Sequence, residues 1–351
     1  MNNSDIKLTE YSRSAGCSCK IAPAVLQQIL ANTKDAFVDP NVLVGNKNAD
    51  DASVYDIGNG QVIVSTADFF MPIVNDAYNY GAIAAANALS DVYAMGAKPA
   101  VALAILGWPL EKLGADLASQ VIQGAKDICA SVDVQISGGH TIDSAEPFFG
   151  LSVTAVANKQ QIRSNNLAQA GDAIYVTKPL GLGILSAGHK RGKNTETQNE
   201  VMLKHMLQVN SLGYHMAALP NVRTMTDVTG FGLVGHLLEV CKASRISASI
   251  NYSELPLIAE AKELQQAGIN PDATFRNWGA YSADISMNPA VPVMEAFTFL
   301  PDPQTNGGLL VFVDAENTAT FEAWYAQQTG INLRPIGTAI SSSEKVVTVL
   351  P

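Results

Sequence analysis

Aspartates recur at the ends of predicted secondary-structure elements, where their carboxylates are available for binding. Residues Gln61–Phe70 predict a strand in which alternation places Asp68 on the same face as Val64, near the end of the strand. Asn87 and Asp91 are spaced i, i+4 and therefore share one face of a predicted helix. The predicted strand and helix should thus hold the side chains of Asp68 and Asp91 in fixed directions.

Two further aspartates, Asp51 and Asp227, lie in predicted loops that adjoin strands. Four carboxylates in such places suit a hard cation, because Mg²⁺ takes oxygen ligands and leaves room for substrate phosphates. Taken singly, each is more often a helix cap or a solvated acid. The predicted magnesium site therefore assumes that these side chains meet in space.

A thiol and an ammonium group lie close together near the N-terminus, at Cys17 and Lys20. The segment around them consists of small polar residues, and glycine and serine keep such a segment mobile. A neighbouring lysine favours the thiolate, which is the reactive form of cysteine. The alternative is a disordered leader in which the cysteines are incidental.

Three glycine-containing loops are candidate anion sites. Residues 230–235 match G-x-G-x-x-G after a strand and before a helix, which is typical of dinucleotide binding. However, Asp227 lies at the mouth of that turn and would repel a bare pyrophosphate, so a tight strand-to-helix turn is the alternative. Residues 138–141 could present backbone N–H groups to an anion, or form an ordinary turn. Residues 302–308 form another polar loop that ends in glycines.

Composition restricts the class of protein. The chain has 351 residues, of which 47% are hydrophobic, and its formal net charge is −10. This charge argues against nucleic acid as the main partner, but a nucleotide remains compatible because a divalent metal can bridge carboxylates to phosphates. Four cysteines are too few for a disulfide framework, and the polar first residues lack an apolar signal core, so we predict a cytoplasmic location. Serine-triad, zinc-site and Walker A spacings are lacking.

Helical and strand-like segments alternate, which predicts an α/β or α+β protein with two halves. We place the boundary in the polar stretch 158–171 and predict three parts: an N-terminal lid with the first helix (1–47), an ATP- and metal-binding, dimerising domain (48–158) and a C-terminal domain (170–351). The predicted helices cover residues 21–30, 81–95, 111–131, 201–218, 232–243, 257–267 and 316–328. We also predict a buried strand at 100–106 and a solvated loop at 189–200.

Taken together, these stretches resemble the selenophosphate synthetase family, in its cysteine-containing form. The resemblance runs almost end to end and rests on residues 8–12 (LTEYS), 15–20 (AGCSCK), 50–52 (DDA), 65–70 (STADFF), 87–91 (NALSD), 138–143 (GGHTID), 225–232 (MTDVTGFG) and 302–305 (DPQT). It implies the two-domain fold of the aminoimidazole ribonucleotide synthetase superfamily, with mixed sheets and packed helices. It also implies a homodimer that converts selenide, ATP and water to selenophosphate, AMP and orthophosphate.

The resemblance implies roles for particular residues. Those matching Cys17 and Lys20 are catalytic, and the lysine also meets the nucleotide. The metal ligands are implied at Asp51, Asp91 and Asp227. The implied ATP-binding set comprises Asn48, Ala49, Asp50, Asp68 and Asp91, together with Gly139, His140 and Thr141, which are expected to reach the nucleotide of the partner subunit.

Departures from the family pattern are small. Serine stands at Ser14 and Ser18 where relatives often have glycine, and Asn306 stands where serine is common. We hypothesise that the N-terminal segment closes over the site, excludes water and brings selenium in through Cys17. The number of metal ions, a K⁺ requirement, covalent selenium on Cys17, the role of Cys19 and a selenium-delivery protein stay open.

Two alternatives remain at this point. The first is another ATP-using member of the superfamily, such as a purine-pathway synthetase or a hydrogenase-maturation protein, which would lack the Cys-x-x-Lys segment. The second is a nucleotide- and metal-sensing regulator with a Cys17–Cys19 redox switch. The regulator would bind nucleotide without turnover, and it would be sensitive to the loss of either cysteine.

Overall fold

The computed structural model describes residues 6–12, 16, 20–21, 23–33 and 37–351. Its first half contains, in chain order, α1 (Pro23–Ala31), β1 (Val42–Val44), β2 (Ser53–Gly58), β3 (Gln61–Phe70), α2 (Ala77–Ala94), β4 (Pro99–Trp108), α3 (Leu110–Ala130), β5 (Gln135–Asp143) and β6 (Phe148–Asn158). Its second half contains β7 (Ala173–Val176), α4 (Leu182–Lys190), α5 (Glu196–Leu207), α6 (Leu212–Ala217), β8 (Val222–Asp227), α7 (Gly232–Ser244), β9 (Ser247–Asn251), α8 (Ala259–Gln266), α9 (Asp272–Tyr281), β10 (Ile285–Met287), α10 (Val293–Phe299), β11 (Leu309–Val313), α11 (Thr318–Thr329), β12 (Gly337–Ile340) and β13 (Val347–Leu350).

The first half is a six-stranded mixed sheet in the order β1-β2-β3-β6-β4-β5, in which β4 and β5 are parallel and the other neighbours antiparallel. Helix α2 packs against β3 and β6 on one face, and α3 packs on α2. The two helices approach closely at Gly81, where a Cβ atom would lie 1.8 Å from the carbonyl oxygen of Val121. Glycine is therefore required for this packing, which fixes the direction of α2 and of its polar side chains.

The second half is a seven-stranded mixed sheet in the order β10-β13-β9-β12-β7-β11-β8. Strand β11 is buried along its whole length, because apolar side chains cover both faces of the sheet. Helix α2 also contacts β8, α5 and α6, so this one helix belongs to the core of both halves. The mixed sheets and packed helices confirm the predicted fold class. Within the described residues, no helix has the length and apolar character needed to cross a membrane.

Four sequence-based predictions about elements need correction. The strand predicted at 100–106 is confirmed as β4, but it is buried on one face only and leaves Leu103 47% exposed on the other. The predicted solvated loop at 189–200 contains the end of α4 and the start of α5, where Thr195 and Gln198 form a capping box. Such a reciprocal cap satisfies the first backbone N–H groups of a helix, and its T-x-x-Q pattern was the signal overlooked.

The long helix predicted at 201–218 is divided into α5 and α6. Gln208 adopts extended backbone angles at the end of α5, and hydrogen bonds to distant residues hold the intervening segment 208–211. The glycine-containing loop predicted at 138–141 is likewise wrong, because these residues belong to strand β5 and pair in parallel with residues 103–106 of β4. In both places, contacts with distant parts of the chain override the local pattern.

Candidate active site

Three of the predicted aspartates meet between the two halves of the protein. Asp51 lies in the loop before β2, Asp91 on α2 and Asp227 at the end of β8. One carboxylate oxygen from each lies within 4.8 Å of the others. The i, i+4 face of α2 and the end of the β8 strand therefore converge, and the assumption behind the magnesium site is fulfilled for these three residues. Asp227 is the last residue of β8 and does not lie in the loop that the sequence indicated.

Hydroxyl groups from neighbouring elements orient the three carboxylates. The Thr66 hydroxyl donates to Oδ2 of Asp91 (2.6 Å), and the Thr226 hydroxyl donates to Oδ1 of Asp51 (2.9 Å). The side chain of Ser90 is hydrogen-bonded to Asp227. The carboxylates are thus directed by bonds that leave other oxygen atoms available.

Two of these remaining oxygens have no hydrogen-bond partner among the described residues. Both Oδ2 of Asp51 and Oδ2 of Asp227 are buried and unpaired. A buried polar atom without a partner is costly, and native structures normally satisfy it. An all-oxygen donor set with free lone pairs fits a hard divalent cation such as Mg²⁺, which would satisfy both atoms.

Burial and mutual repulsion affect the ionisation of this cluster. Asp51 and Asp91 are half-buried as whole residues, but their carboxyl groups are enclosed. Burial, and then the charge of Asp227, raises the pKa of both groups well above 3.8. Burial also raises the pKa of Asp227, against a hydrogen bond from Ser90 that lowers it. A cation would reverse these effects by compensating the negative charges.

The affinity for metal should therefore depend on pH at higher pH values than those at which an ordinary aspartate titrates. Because a cation must displace protons from carboxyls whose pKa is raised, binding of Mn²⁺ should weaken as the pH falls from 8, and the loss should begin above pH 3.8. Titrations with Mn²⁺ followed by electron paramagnetic resonance would measure this. An affinity that stays constant down to pH 4.5 would contradict the prediction.

A fourth acid and a cation adjoin the cluster. Asp68, at the end of β3, accepts a hydrogen bond from Nδ2 of Asn87 (2.8 Å), and Nζ of Lys20 lies 3.8 Å from Oδ2 of Asp68. After burial and the charge of Asp227, the negative charge of Asp68 also raises the pKa of Asp91. The Lys20 ammonium group also lies 5.9 Å from the centre of the Phe231 ring, within cation–π range.

The remaining predicted site residues are placed differently. Ala49 adopts a left-handed backbone with φ of 52°, and its carbonyl accepts a hydrogen bond from Nδ2 of Asn165 (2.9 Å). The backbone N–H of Asn165 donates to Oδ1 of Asp50 (2.6 Å). A weaker contact of 3.4 Å joins Asn165 to the carbonyl of Asn48. The loop 48–50 is therefore anchored to the segment between the two halves, directly before Asp51.

Gly139, His140 and Thr141 lie away from the cluster within one chain. They are on the edge strand β5, three strands from Asp68 in the sheet. At about 4.8 Å between neighbouring strands, this separation is roughly 14 Å. Cys17, the predicted catalytic thiol, lies outside the described residues. Its described neighbour Gly16 pairs with Met71 through a backbone hydrogen bond of 3.1 Å, directly after strand β3.

The glycines of 230–235 serve close packing. Gly232 has φ of 71°, and a Cβ atom there would lie 2.5 Å from the carbonyl carbon of Pro301. A Cβ atom on Gly235 would lie 2.5 Å from Cβ of Phe231. These contacts support the tight-turn alternative and explain the pattern without a dinucleotide.

Sequence reasoning missed the residues that orient the site. Thr66 and Thr226 each lie within two residues of a predicted acid, a spacing that could have identified them. Ser90 is adjacent to Asp91 on α2, but a serine inside an alanine-rich helix gives no such signal. Asn165 is distant in sequence from the loop that it holds, and only the folded chain brings it there.

Comparisons with known proteins match both halves of the chain to one family description. Residues 49–157 match the family described as AIR synthase related protein, N-terminal domain, and residues 169–350 match the corresponding C-terminal domain. A selenide, water dikinase of Aeromonas salmonicida (strain A449) is 48% identical over 336 residues, which cover 95% of each chain. A selenide, water dikinase of Sulfurovum sp. (strain NBC37-1) is 45% identical over 347 residues, covering 99% of this chain and 100% of the relative.

Solved structures show the same fold at lower identity. Thiamine-monophosphate kinase from Stenotrophomonas maltophilia K279a superposes with a TM-score of 0.66 at 20% identity, covering 94% of this chain and 96% of the other. The hydrogenase maturation protein HypE, solved in complex with ATP, gives a TM-score of 0.62 at 16% identity, with 98% and 94% covered. The dikinases are 45% and 48% identical to this chain over nearly its whole length, which decides between these relatives. The chain belongs to the selenide, water dikinase family of phosphotransferases, built on the AIR synthase related fold.

Proposed function

We propose that this chain phosphorylates selenide with ATP and releases selenophosphate, AMP and orthophosphate. The observation that carries the proposal is the meeting of Asp51, Asp91 and Asp227 around two buried, unpaired carboxylate oxygens. In a chain of net charge −10, a triphosphate is repelled unless cations compensate its charge. A site that gathers acids beside Lys20 is suited to that task.

The side chains of the site divide the work. Asp51, Asp91 and Asp227 would hold Mg²⁺, while Lys20 supplies a further positive charge beside Asp68. When bound, the metal neutralises phosphate charge, which is the main requirement of phosphoryl transfer. The loop 48–50 and Asp68 are proposed to bind ATP, and Lys20 to meet its phosphates. The segment around Cys17 is proposed to close over the site, exclude water and present selenium.

Removing the positive charge of Lys20 should slow the reaction more than it weakens metal binding. We expect Lys20→Met to lower kcat by about a hundredfold, the usual effect of losing one group that stabilises developing charge. Mn²⁺ affinity should change only a few-fold. Lys98→Met is a matched control, because Lys98 is likewise paired with an aspartate. Its Nζ lies 3.5 Å from Oδ2 of Asp133, but at an exposed position. A kcat for Lys20→Met close to that of the control would contradict the role.

A second copy of the chain is proposed to complete the site. The outer face of the first sheet exposes apolar side chains, including Tyr55, Ile57, Phe69, Leu103 and Val156. Such a face is typical of protein association. A homodimer formed through it would agree with the family resemblance, and it would allow Gly139, His140 and Thr141 to reach the partner's nucleotide. We also retain as predictions the three-part division of the chain, a cytoplasmic location, a K⁺ requirement and a selenium-delivery partner.

Anaerobic phosphorus NMR tests the proposed reaction directly. The protein is mixed with ATP, Mg²⁺ and selenide enriched in selenium-77. We expect AMP, orthophosphate and a phosphorus signal split by coupling to selenium, and none of these in a matched sample without selenide. ADP as the final nucleotide, or the lack of a selenium-coupled signal, would refute the assignment.

A further inference from the structure

A buried lysine lies behind the cluster, and the mechanism above gives it no role. Lys178 follows strand β7 and is only 3% exposed. Its ammonium group donates to the backbone carbonyls of Gln208 (2.6 Å) and Asn306 (2.9 Å). Burial lowers the pKa of Lys178 to about 7, while the charge of Asp227 acts in the opposite direction. An enclosed charge is costly, and a methionine would fill the same space without that cost.

One hydrogen-bond chain leads from Lys178 to Asp68. Asn306, whose carbonyl binds the ammonium group, donates its backbone N–H to Oδ1 of Asn87 (2.7 Å). Asn87 in turn donates Nδ2 to Oδ2 of Asp68 (2.8 Å). Asn306 has φ of 51°, and its amide donates to the carbonyls of Met206 (2.6 Å) and Gln208 (3.0 Å). This strained residue is therefore held on both sides, and its orientation sets that of Asn87.

A second chain leads from the same place to Asp227. Lys178 holds the carbonyl of Gln208 at the start of the segment 208–211, which separates α5 from α6. Within that segment, Nδ2 of Asn210 donates to Oγ of Ser90 and to the carbonyl of Gly307, both at 2.8 Å. Ser90 is hydrogen-bonded to Asp227. Both chains therefore reach α2, one at Asn87, a turn before Asp91, and the other at Ser90, directly before Asp91.

We propose that Lys178 is a positioning residue of the active site: its ammonium group clamps the 208–211 segment to the 302–308 loop and thereby fixes Asp68 and Asp227. The inference rests on the proposed function, because it assigns these acids to the binding of metal and ATP. Lys178 touches neither acid through a hydrogen bond that the structure shows, so its effect passes through Asn306, Asn87, Asn210 and Ser90.

A role in packing alone would give different results from a role in positioning. Packing makes the side chain matter for stability, whereas positioning makes its charge and donors matter for the geometry of the metal site. Tyr325 is a suitable control, because Tyr325 and Lys178 both line one small cavity. The Tyr325 hydroxyl donates to the carbonyl of Thr177 (3.4 Å), the residue before Lys178. It belongs to neither chain of hydrogen bonds described above.

The experiment compares Lys178→Met with Tyr325→Phe in the full-length protein. Mn²⁺ is titrated in the presence of a non-hydrolysable ATP analogue and followed by electron paramagnetic resonance, after circular dichroism has established that each variant is folded. We expect Lys178→Met to bind Mn²⁺ about ten- to a hundredfold more weakly, as for other residues that orient metal ligands, and Tyr325→Phe less than about twofold more weakly. At saturating Mn²⁺, the line shape should differ from the wild type only in Lys178→Met.

Affinity and line shape of Lys178→Met that match those of Tyr325→Phe would overturn the inference. If Lys178→Met does not fold, Ser90→Ala provides the second test, since it removes one hydroxyl from a helix and breaks the chain to Asp227. Unchanged Mn²⁺ affinity in Ser90→Ala would also overturn the inference. Failure of the proposed function is distinguishable, because it would appear in the wild type, as missing selenophosphate in the phosphorus NMR experiment.

Discussion

Replacement of Asp227 with asparagine should abolish metal-dependent ATP binding. The variant keeps the shape of the side chain but replaces a carboxylate by a neutral amide, whose NH₂ group repels a cation. Metal stabilisation of phosphate charge amounts to several kcal/mol. If the variant loses about 4 kcal/mol of it, its affinity for ATP in the presence of Mg²⁺ falls on the order of a thousandfold. Calorimetric titration with ATP and Mg²⁺ would measure the loss. The effect should be large because Oδ2 of Asp227 is one of the two buried oxygens that a cation would satisfy.

The same variant should be more stable than the wild type when metal is absent. A raised carboxyl pKa means that the folded state disfavours ionisation, so the metal-free protein loses stability as the pH rises from the unfolded-state pKa towards the raised value. The asparagine side chain of the variant cannot ionise and avoids this loss. Thermal unfolding at pH 8 without metal should therefore give a higher Tm for Asp227→Asn, and Mg²⁺ should raise the Tm of the wild type alone.

Asp314→Asn is the matched control for both measurements. Asp314 is a half-buried acid in the same half of the chain, but it pairs with Arg223 at 2.7 Å and not with the cluster. Its loss should leave ATP and Mg²⁺ binding within about threefold of the wild type, at some cost in stability from the broken ion pair. If Asp227→Asn bound metal and ATP as well as this control, the cluster would not be the metal site.

Replacement of Cys17 with serine should remove selenide-dependent product while leaving ATP binding nearly intact. A hydroxyl group cannot replace the thiolate that is proposed to position selenium at the site, and Cys17 is not among the acids proposed to hold ATP and metal. Lys20 lies beside Asp68, and Gly16 pairs with Met71 directly after β3, so residues on both sides of Cys17 lie near the end of the strand that carries Asp68. Anaerobic phosphorus NMR would report selenophosphate, and calorimetry would report ATP binding.

Cys19→Ser is the matched control two residues away. If the protein is an enzyme that uses Cys17, the control should still form selenophosphate, whereas a redox switch between the two cysteines would be lost in either variant. Full activity of Cys17→Ser would refute the proposed role of this thiol. Equal loss in both variants would instead favour a disulfide-controlled protein.

The sequence determined which groups are available and where local geometry places them. Alternation along β3 correctly places Asp68 on the buried face, and the i, i+4 spacing correctly places Asn87 and Asp91 on one side of α2. These predictions succeed because the periods of strand and helix are set by the local backbone. The ordered series of motifs also identified the family. The 48% identity to a selenide, water dikinase over 95% of the chain confirms it.

Only the tertiary structure decided that the acids share one site. Thr226 and Asp51 are 175 residues apart, and they meet because α2 packs against both halves. Likewise, the end of α5, the pairing of residues 138–141 in β5 and the enclosure of Lys178 depend on partners that local periodicity does not encode. Such contacts form when distant elements bury their apolar faces together, and buried polar groups must then find their hydrogen bonds across the junction.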